Sequence, residues 1–122
     1  MTAPLLIVDG ANVVGSVPDG WWRDRRGAAE RLRDGLVQYA TDGVPGLPGP
    51  VDVVLVVEGA ARGVTSVPGV RVEEAPGSGD DRIVALVAGA DRPCVVVTAD
   101  RELRGRVAEL GATTAGPRTV YG

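Results

Sequence analysis

The stretch Leu5–Asn12 (LLIVDGAN) decides the fold of this chain, because an apolar run stops abruptly on an acid and a glycine. A short continuous run of this kind predicts a β-strand buried on both faces, as the strands of parallel sheets are. We predict a strand at residues 5–9, followed by a turn through residues 10–15. An acid at the end of such a strand lies at the edge of the sheet where α/β proteins bind their ligands.

The same pattern recurs twice along the chain. The runs Val53–Glu58 and Val95–Asp100 are also apolar and also end on an acid, and a further acidic pair follows the glycine-rich turn at Gly77–Gly79. Since the carboxyl ends of parallel strands share one edge, as many as five carboxylates would meet there: Asp9, Glu58, Asp80, Asp81 and Asp100. Like charges repel at short range, so this edge is predicted to bind cations.

Helical periodicity fills the intervals between the strands. We predict helices at 21–41, from about 80 and at 100–110, and further strands at 51–58, 70–72, 94–98 and 112–114, with a flexible connector at 42–50 and a loose tail at 115–122. Strands that alternate with helices predict a three-layer α/β/α sandwich around a mainly parallel sheet. With 122 residues, the chain is predicted to form a single domain, 1–122.

The composition excludes several kinds of catalysis. The chain has no His, and all 13 of its basic residues are Arg. Ser-His-Asp and Cys-His mechanisms, His-ligated zinc and lysine chemistry are therefore ruled out. Carboxylates, hydroxyls, Asn and Arg remain, and these suit metal-assisted hydrolysis of phosphate esters.

Several features predict a cytoplasmic protein that is not inserted in a membrane. The lone Cys94 indicates a buried thiol in a reducing compartment, and the first four residues lack the basic cluster of a secretory signal. No apolar run approaches the roughly 20 residues that span a bilayer. The net charge of −3 argues against nucleic-acid binding through overall charge, although it leaves local binding open.

Asp9 and Asn12 are the first candidate metal ligands. An Asp in a glycine turn often only accepts backbone N–H bonds, but Asp and Asn together offer the oxygen ligands that Mg²⁺ or Mn²⁺ prefers. For Asp80 and Asp81 the alternative is helix capping, because Asp is favoured as an N-cap. We predict that one of this pair caps the helix and that at least one is a ligand.

Asp100 completes the predicted site. It would lie beside Asp9 if the strands at 5–9 and 94–98 are neighbours, and it can also cap the following helix. The Thr98 hydroxyl is predicted to hold either carboxylate. Glu58 is an additional candidate, with a solvated turn as the equal alternative.

Arg and Trp residues are candidates for RNA binding. Arg62, Arg101 and Arg104 are predicted near the acidic edge, where guanidinium groups grip phosphate oxygens in pairs. Trp22 and Arg23 are a second candidate surface, because aromatic rings and Arg stack on the bases of single-stranded RNA. We expect at least one ring of the Trp21-Trp22 pair to pack helix 21–41 onto the sheet instead.

Three segments resemble the motifs of NYN domains in the PIN-like nuclease superfamily, and most of all the bacterial YacP-like NYN proteins. In order along the chain they are Ile7–Val13, Gly77–Val84 and Val95–Arg101. The resemblance implies a PIN-like, Rossmann-like fold and a Mg²⁺- or Mn²⁺-dependent endoribonuclease that acts on messenger, transfer or ribosome-associated RNA as a monomer or homodimer. It also implies that Asp9, Asp80 or Asp81, and Asp100 are ligands, supported by Asn12.

The hypothesis from the sequence is therefore hydrolysis of RNA phosphodiester bonds. A metal held by Asp9, Asp81 and Asp100 would activate water, while Arg101 or Arg104 steadies the RNA backbone. Some relatives carry a further acid where this chain has Arg104, so a non-catalytic domain that binds RNA or the ribosome is the main alternative. Other acidic-edge α/β families fit less well, since phosphatases of the haloacid-dehalogenase type need an Asp where this chain has Ala11.

Overall fold

The structure is a computed structural model that describes residues 3–121. The first strand, β1, spans Leu5–Asp9 as predicted, and its side chains are all buried. It leads into the short helix α1 (Gly10–Gly15), a 3-10 turn (Trp21–Arg23) and the long helix α2 (Arg25–Asp42). Residues 10–15, predicted as a turn, are thus helical, because the Asp9 side chain caps this segment by accepting the N–H of Asn12.

The remaining elements follow the predicted alternation of strands and helices. In chain order they are β2 (Gly43–Val44), β3 (Leu47–Pro48), β4 (Asp52–Val57), a 3-10 turn (Gly59–Ala61), β5 (Val70–Glu74), α3 (Gly79–Gly89), β6 (Cys94–Val97), α4 (Arg101–Ala108), β7 (Thr113–Ala115) and α5 (Arg118–Tyr121). Strands β4, β5, β6 and β7 each lie within two residues of their predicted limits.

Five strands form a parallel sheet in the order β5-β4-β1-β6-β7. Along the chain, β1 is followed by β4 and β5 on one side of it and then by β6 and β7 on the other. The point where the order reverses therefore lies between β1 and β6, and such a switch point is where open α/β sheets bind ligands.

The sheet carries an apolar core on each face, so the predicted three-layer sandwich is confirmed. One core joins α1, α2 and α5 to Leu6, Val8 and Leu55, and the other joins α3 and α4 to Ile7, Val54 and their neighbours. Alternate side chains of one strand thus enter opposite cores. This burial on both faces fixes where each strand ends, and with it where the acids lie.

Three predictions about the connecting segments were wrong. The long helix begins at Arg25 rather than at residue 21, because Asp24 caps it through the N–H of Gly27 at 2.9 Å. The connector at 42–50 contains the antiparallel pair β2 and β3. The tail is not loose, since α5 packs the buried Val120 into the first core; Gly122 lies outside the described residues.

Candidate active site

Asp9 lies at the end of β1, the strand between β4 and β6, and is almost completely buried, with 4% of its surface exposed. Its Oδ1 accepts the N–H of Asn12 at 3.4 Å, which caps α1. Capping of the helix accounts for this oxygen alone. The other oxygen is held by a side chain from the neighbouring strand.

That side chain is Thr98, which is fully buried just after β6. Its hydroxyl donates to Asp9 Oδ2 at 2.9 Å and accepts the N–H of Asp100 at 3.1 Å. The predicted hydrogen bond from Thr98 to a carboxylate is confirmed for Asp9. One hydroxyl therefore fixes the Asp9 side chain and the Asp100 backbone with respect to each other.

Asp100 and Asn12 accept two further hydrogen bonds around the loop that follows β6. Asp100 Oδ1 accepts the N–H of Leu103 at 3.1 Å and so caps α4, as the sequence allowed. Asn12 Oδ1 accepts the N–H of Ala99 at 2.8 Å. The Asn12 oxygen thus ties α1 to the loop after β6, which makes Asn12 a positioning residue in this structure.

Glu58 and Asp80 come from the other side of the switch point. Glu58 follows β4, and its Oε2 accepts the N–H of Gly79 at 2.9 Å, at the start of α3. A Cβ at position 79 would lie 3.3 Å from Glu58 Oε1, so glycine permits this close approach. Glu58 therefore holds the beginning of α3, and with it Asp80, next to the end of β4.

The expectation that Asp80 or Asp81 caps α3 was wrong. Ser78 is the N-cap, and its hydroxyl accepts the N–H of Asp80 at 3.1 Å. Both acids therefore lie in the first helical turn, where negative charge is favourable, but neither is needed to cap it. The side chains of Asp80 and Asp81 can therefore make contacts outside the helix cap.

The acids influence one another electrostatically. Burial is the main reason that the pKa of Asp9 is raised to about 6. The hydrogen bonds from Thr98 and Asn12 oppose this increase, and the charges of Asp80 and Glu58 add smaller increases. Burial also raises the pKa of Asp80, and so do the charges of Asp100 and Glu58. The structure thus brings together four of the predicted acids: Asp9, Glu58, Asp80 and Asp100.

Asp81 differs from these four acids because it lies at the protein surface. Its side chain is 75% exposed, and Oδ1 forms an ion pair with Arg106 Nη2 at 3.1 Å. Within the first turn of α3, Asp80 is therefore the acid whose charge is felt by Asp9. The sequence left the choice between the two open, although Asp80 shares a helical face with the apolar Ile83 and Val84.

The predicted Arg residues differ in what they contact. Arg104 Nε donates to the carbonyl of Thr98 at 2.8 Å, so this side chain braces the end of β6. Arg62 Nη2 donates to the carbonyl of Pro76 at 2.9 Å, while Arg101 is exposed. Trp22 is 53% exposed, with the Arg23 guanidinium 5.9 Å from its ring centroid.

Trp21 and Arg25, rather than the predicted Trp22 and Arg23, share a cavity with one of the acids. Both line a cavity of about 390 Å³ that also includes Glu58 and Arg62. The pair of tryptophans was a visible signal in the sequence. The wrong start of the long helix, however, hid which of the two rings faces the acidic edge.

The donors at this edge fit a hard divalent cation in chemical type. Asp9, Asp80 and Asp100 offer carboxylate oxygens with lone pairs beyond those used in the hydrogen bonds above. Within residues 3–121, no three His, Cys, Asp or Glu side chains are arranged to hold a metal ion by themselves. This agrees with the usual mode of Mg²⁺, which takes one or two carboxylates and completes its shell with water and substrate phosphate.

The parallel sheet, with its order reversing beside β1, belongs to the α/β class and has the fold of Rae1 (YacP). Crystal structures of Rae1 (YacP) from Bacillus subtilis and of a point mutant of it share this fold, with TM-scores of 0.73 and 0.69. In each comparison the identity is 20%, and the match covers 96% of this chain and 71% of the Rae1 chain. The resemblance of the sequence motifs is thus confirmed at the level of the fold.

No family model matches the chain, and no curated protein does either. Among the described residues, moreover, we find no helix with the length and apolar character that crossing a membrane requires.

Proposed function

We propose that this protein is a metal-dependent endoribonuclease that hydrolyses phosphodiester bonds of single-stranded RNA at the carboxyl edge of the sheet. Asp9 is the observation that carries the proposal. A carboxylate that is 4% exposed, with its pKa raised to about 6 and further acids nearby, is costly to a fold that does not use it. The YacP-like fold and the three motifs agree with this function.

In the proposed mechanism Asp9, Asp80 and Asp100 would hold Mg²⁺ or Mn²⁺, one or two of them directly and the rest through bound water, and the ion would supply the Lewis acidity that phosphodiester hydrolysis needs. Asp80 replaces Asp81 in this assignment, because Asp81 is paired with Arg106 at the surface. Thr98 holds Asp9 in one orientation, and Asn12 holds the loop that carries Asp100. Glu58 keeps the start of α3 in place.

The Arg residues would act on the RNA backbone. Arg62 and Arg101 are exposed, so their guanidinium groups are accessible to phosphate oxygens. Arg104 contributes indirectly, because its hydrogen bond to the Thr98 carbonyl steadies the end of β6. RNA binding by this acidic protein would therefore depend on a few Arg side chains near the site rather than on its net charge.

The test is cleavage of a single-stranded RNA oligonucleotide with Mn²⁺, with Mg²⁺ and with chelator. Replacing a residue that only supports a metal ligand lowers metal affinity or activity by about 10- to 100-fold. Replacing a proposed ligand itself should cost at least as much, so Asp9→Asn and Asp80→Asn should each lower cleavage by about 100-fold or more. Asp81→Asn should cost less than Asp80→Asn, and the exposed Asp91→Asn is the control. Equal cleavage by Asp9→Asn and wild type would refute the assignment.

A non-catalytic RNA-binding domain is the second candidate, and Arg104 is the observation that favours it. Some relatives have an acid at this place, whereas the Arg104 side chain here is engaged by the Thr98 carbonyl at 2.8 Å. That function predicts RNA binding without cleavage under every metal condition of the same assay. Binding of the uncleaved oligonucleotide, measured in parallel, separates the two candidates.

A further inference from the structure

A cavity of about 390 Å³ lies beside the acidic edge, on the face of the sheet that α1 and α2 cover. Its volume falls within the range of about 300–1,000 Å³ that is typical of small-ligand pockets. Glu58 belongs to its lining and also contacts the start of α3, so the cavity and the acids share a boundary. A group in the cavity would therefore lie next to the proposed reaction site.

One part of the lining consists of two flat groups. The guanidinium carbon of Arg25 lies 5.3 Å from the centroid of the Trp21 ring, which places the cation over the indole. Trp21 packs against the core, and the Trp22 ring meets it edge-on at 5.8 Å. These contacts hold the indole in place. A fixed aromatic ring is the kind of surface on which a base can stack.

The rest of the lining combines apolar surface with a polar rim. Val14, Val57 and Ala29 are buried core residues that form apolar surface, while Glu58 and Arg62 supply an acceptor and a donor. Flat apolar faces and hydrogen-bonding edges are the features of a nucleobase. The side chains of this cavity match both features.

We propose that this cavity binds one base of the RNA, stacked against the Trp21–Arg25 pair, next to the phosphodiester that reaches the acids. The choice of an RNA base rests on the proposed function. The proposal assigns base binding to Trp21 and Arg25, in place of the exposed Trp22 and Arg23. It makes the enzyme recognise an unpaired base, because a base within a duplex offers no free face to this wall.

Gly77 offers a way to fill the cavity without altering the acids or the aromatic wall. It belongs to the lining, its φ is outside the left-handed range, and a Cβ built there meets nothing within 4 Å. Gly77→Leu should therefore fold normally and obstruct the cavity. Gly35→Leu is the matched control, since a Cβ at Gly35 of α2 also meets nothing within 4 Å and this residue is not part of the lining.

Binding is measured with adenosine and uridine, which carry no phosphate and so do not depend on metal or on Asp9, Asp80 and Asp100. The chain has two tryptophans, so Trp22→Phe leaves Trp21 as the sole source of tryptophan fluorescence. Stacking of a base on Trp21 should quench this fluorescence saturably. A stacked base contributes about 5- to 140-fold in affinity, so Gly77→Leu on this background should weaken binding within that range. Gly35→Leu should bind as its parent does.

Two results would overturn the base site: the absence of saturable quenching, or equal affinity in Gly77→Leu and Gly35→Leu. Kinetics on the RNA oligonucleotide add an independent readout, since loss of base binding should raise KM more than it lowers kcat. If nucleosides bind as expected while no metal supports cleavage, the base site stands and the nuclease proposal fails. If cleavage depends on Asp9 and nucleosides do not bind, only the base site fails.

Discussion

Asp9 serves two roles whose energetic demands differ. As an N-cap it needs only one accepting oxygen, and this oxygen receives the N–H of Asn12. Burial and neighbouring acids nevertheless raise its pKa to about 6, which an exposed Asp, Ser or Thr at this cap would avoid. We interpret this as stability given up for the cation binding proposed above.

The pH dependence of stability tests that interpretation in the metal-free protein. The pKa of Asp9 is about 6 in the folded protein and 3.8 in a model peptide, so between these values the folded state binds more protons than the unfolded state. Stability should therefore fall as pH rises through this window, by about 3 kcal/mol from Asp9 alone. Asp9→Asn should lose this part of the fall and exceed the wild type at neutral pH, as measured by urea denaturation.

The exposed Asp91→Asn is the control for that experiment, and it should keep the pH dependence of the wild type. Parallel stability curves for the wild type and Asp9→Asn would mean that burial of this carboxylate has no energetic cost.

At the scale of elements, the strands could be predicted well from the sequence and the helix starts could not. Buried parallel strands show continuous apolar runs, so the position of Asp9 at the end of β1 followed directly. Helix starts depend on which of several polar residues caps the first turn. Asp24 and Ser78 were both missed as caps, and this left the surroundings of Trp21 and the capping role of Asp80 wrongly predicted.

Gly10 shows how closely α1 and β4 approach each other beneath the site. A Cβ at this position would lie 2.5 Å from the carbonyl oxygen of Val56, which is backbone and cannot rotate away. Gly10→Ala should therefore destabilise the fold by about 1–3 kcal/mol. Gly35→Ala in α2 should instead stabilise it by about 0.5–1 kcal/mol, because its Cβ meets nothing within 4 Å and Ala favours the helix.

Urea denaturation of the two glycine variants measures both effects under the same conditions. A Gly10→Ala protein as stable as the wild type would show that α1 can move away from β4 without cost.

At the scale of the whole molecule, the order of the strands assembles the site from distant segments. Thr98 and Asp9 are separated by 89 positions, yet they are hydrogen-bonded because β1 and β6 are neighbours at the switch point. This neighbourhood could be predicted from the alternation of strands and helices. The cavity could not, because its walls come from two 3-10 turns and a helix start that have no periodic signal.

Binding of a divalent cation should stabilise the whole fold, since only the folded chain brings the acids of separate elements together. At a concentration about 100 times its Kd, Mn²⁺ would raise the free energy of unfolding by about 2.7 kcal/mol at neutral pH. Asp9→Asn should lose most of this gain, whereas Asp91→Asn should retain it, and NaCl at equal ionic strength corrects for screening. Denaturation with and without Mn²⁺ measures the gain, and an equal gain in Asp9→Asn would place the ion elsewhere on the molecule.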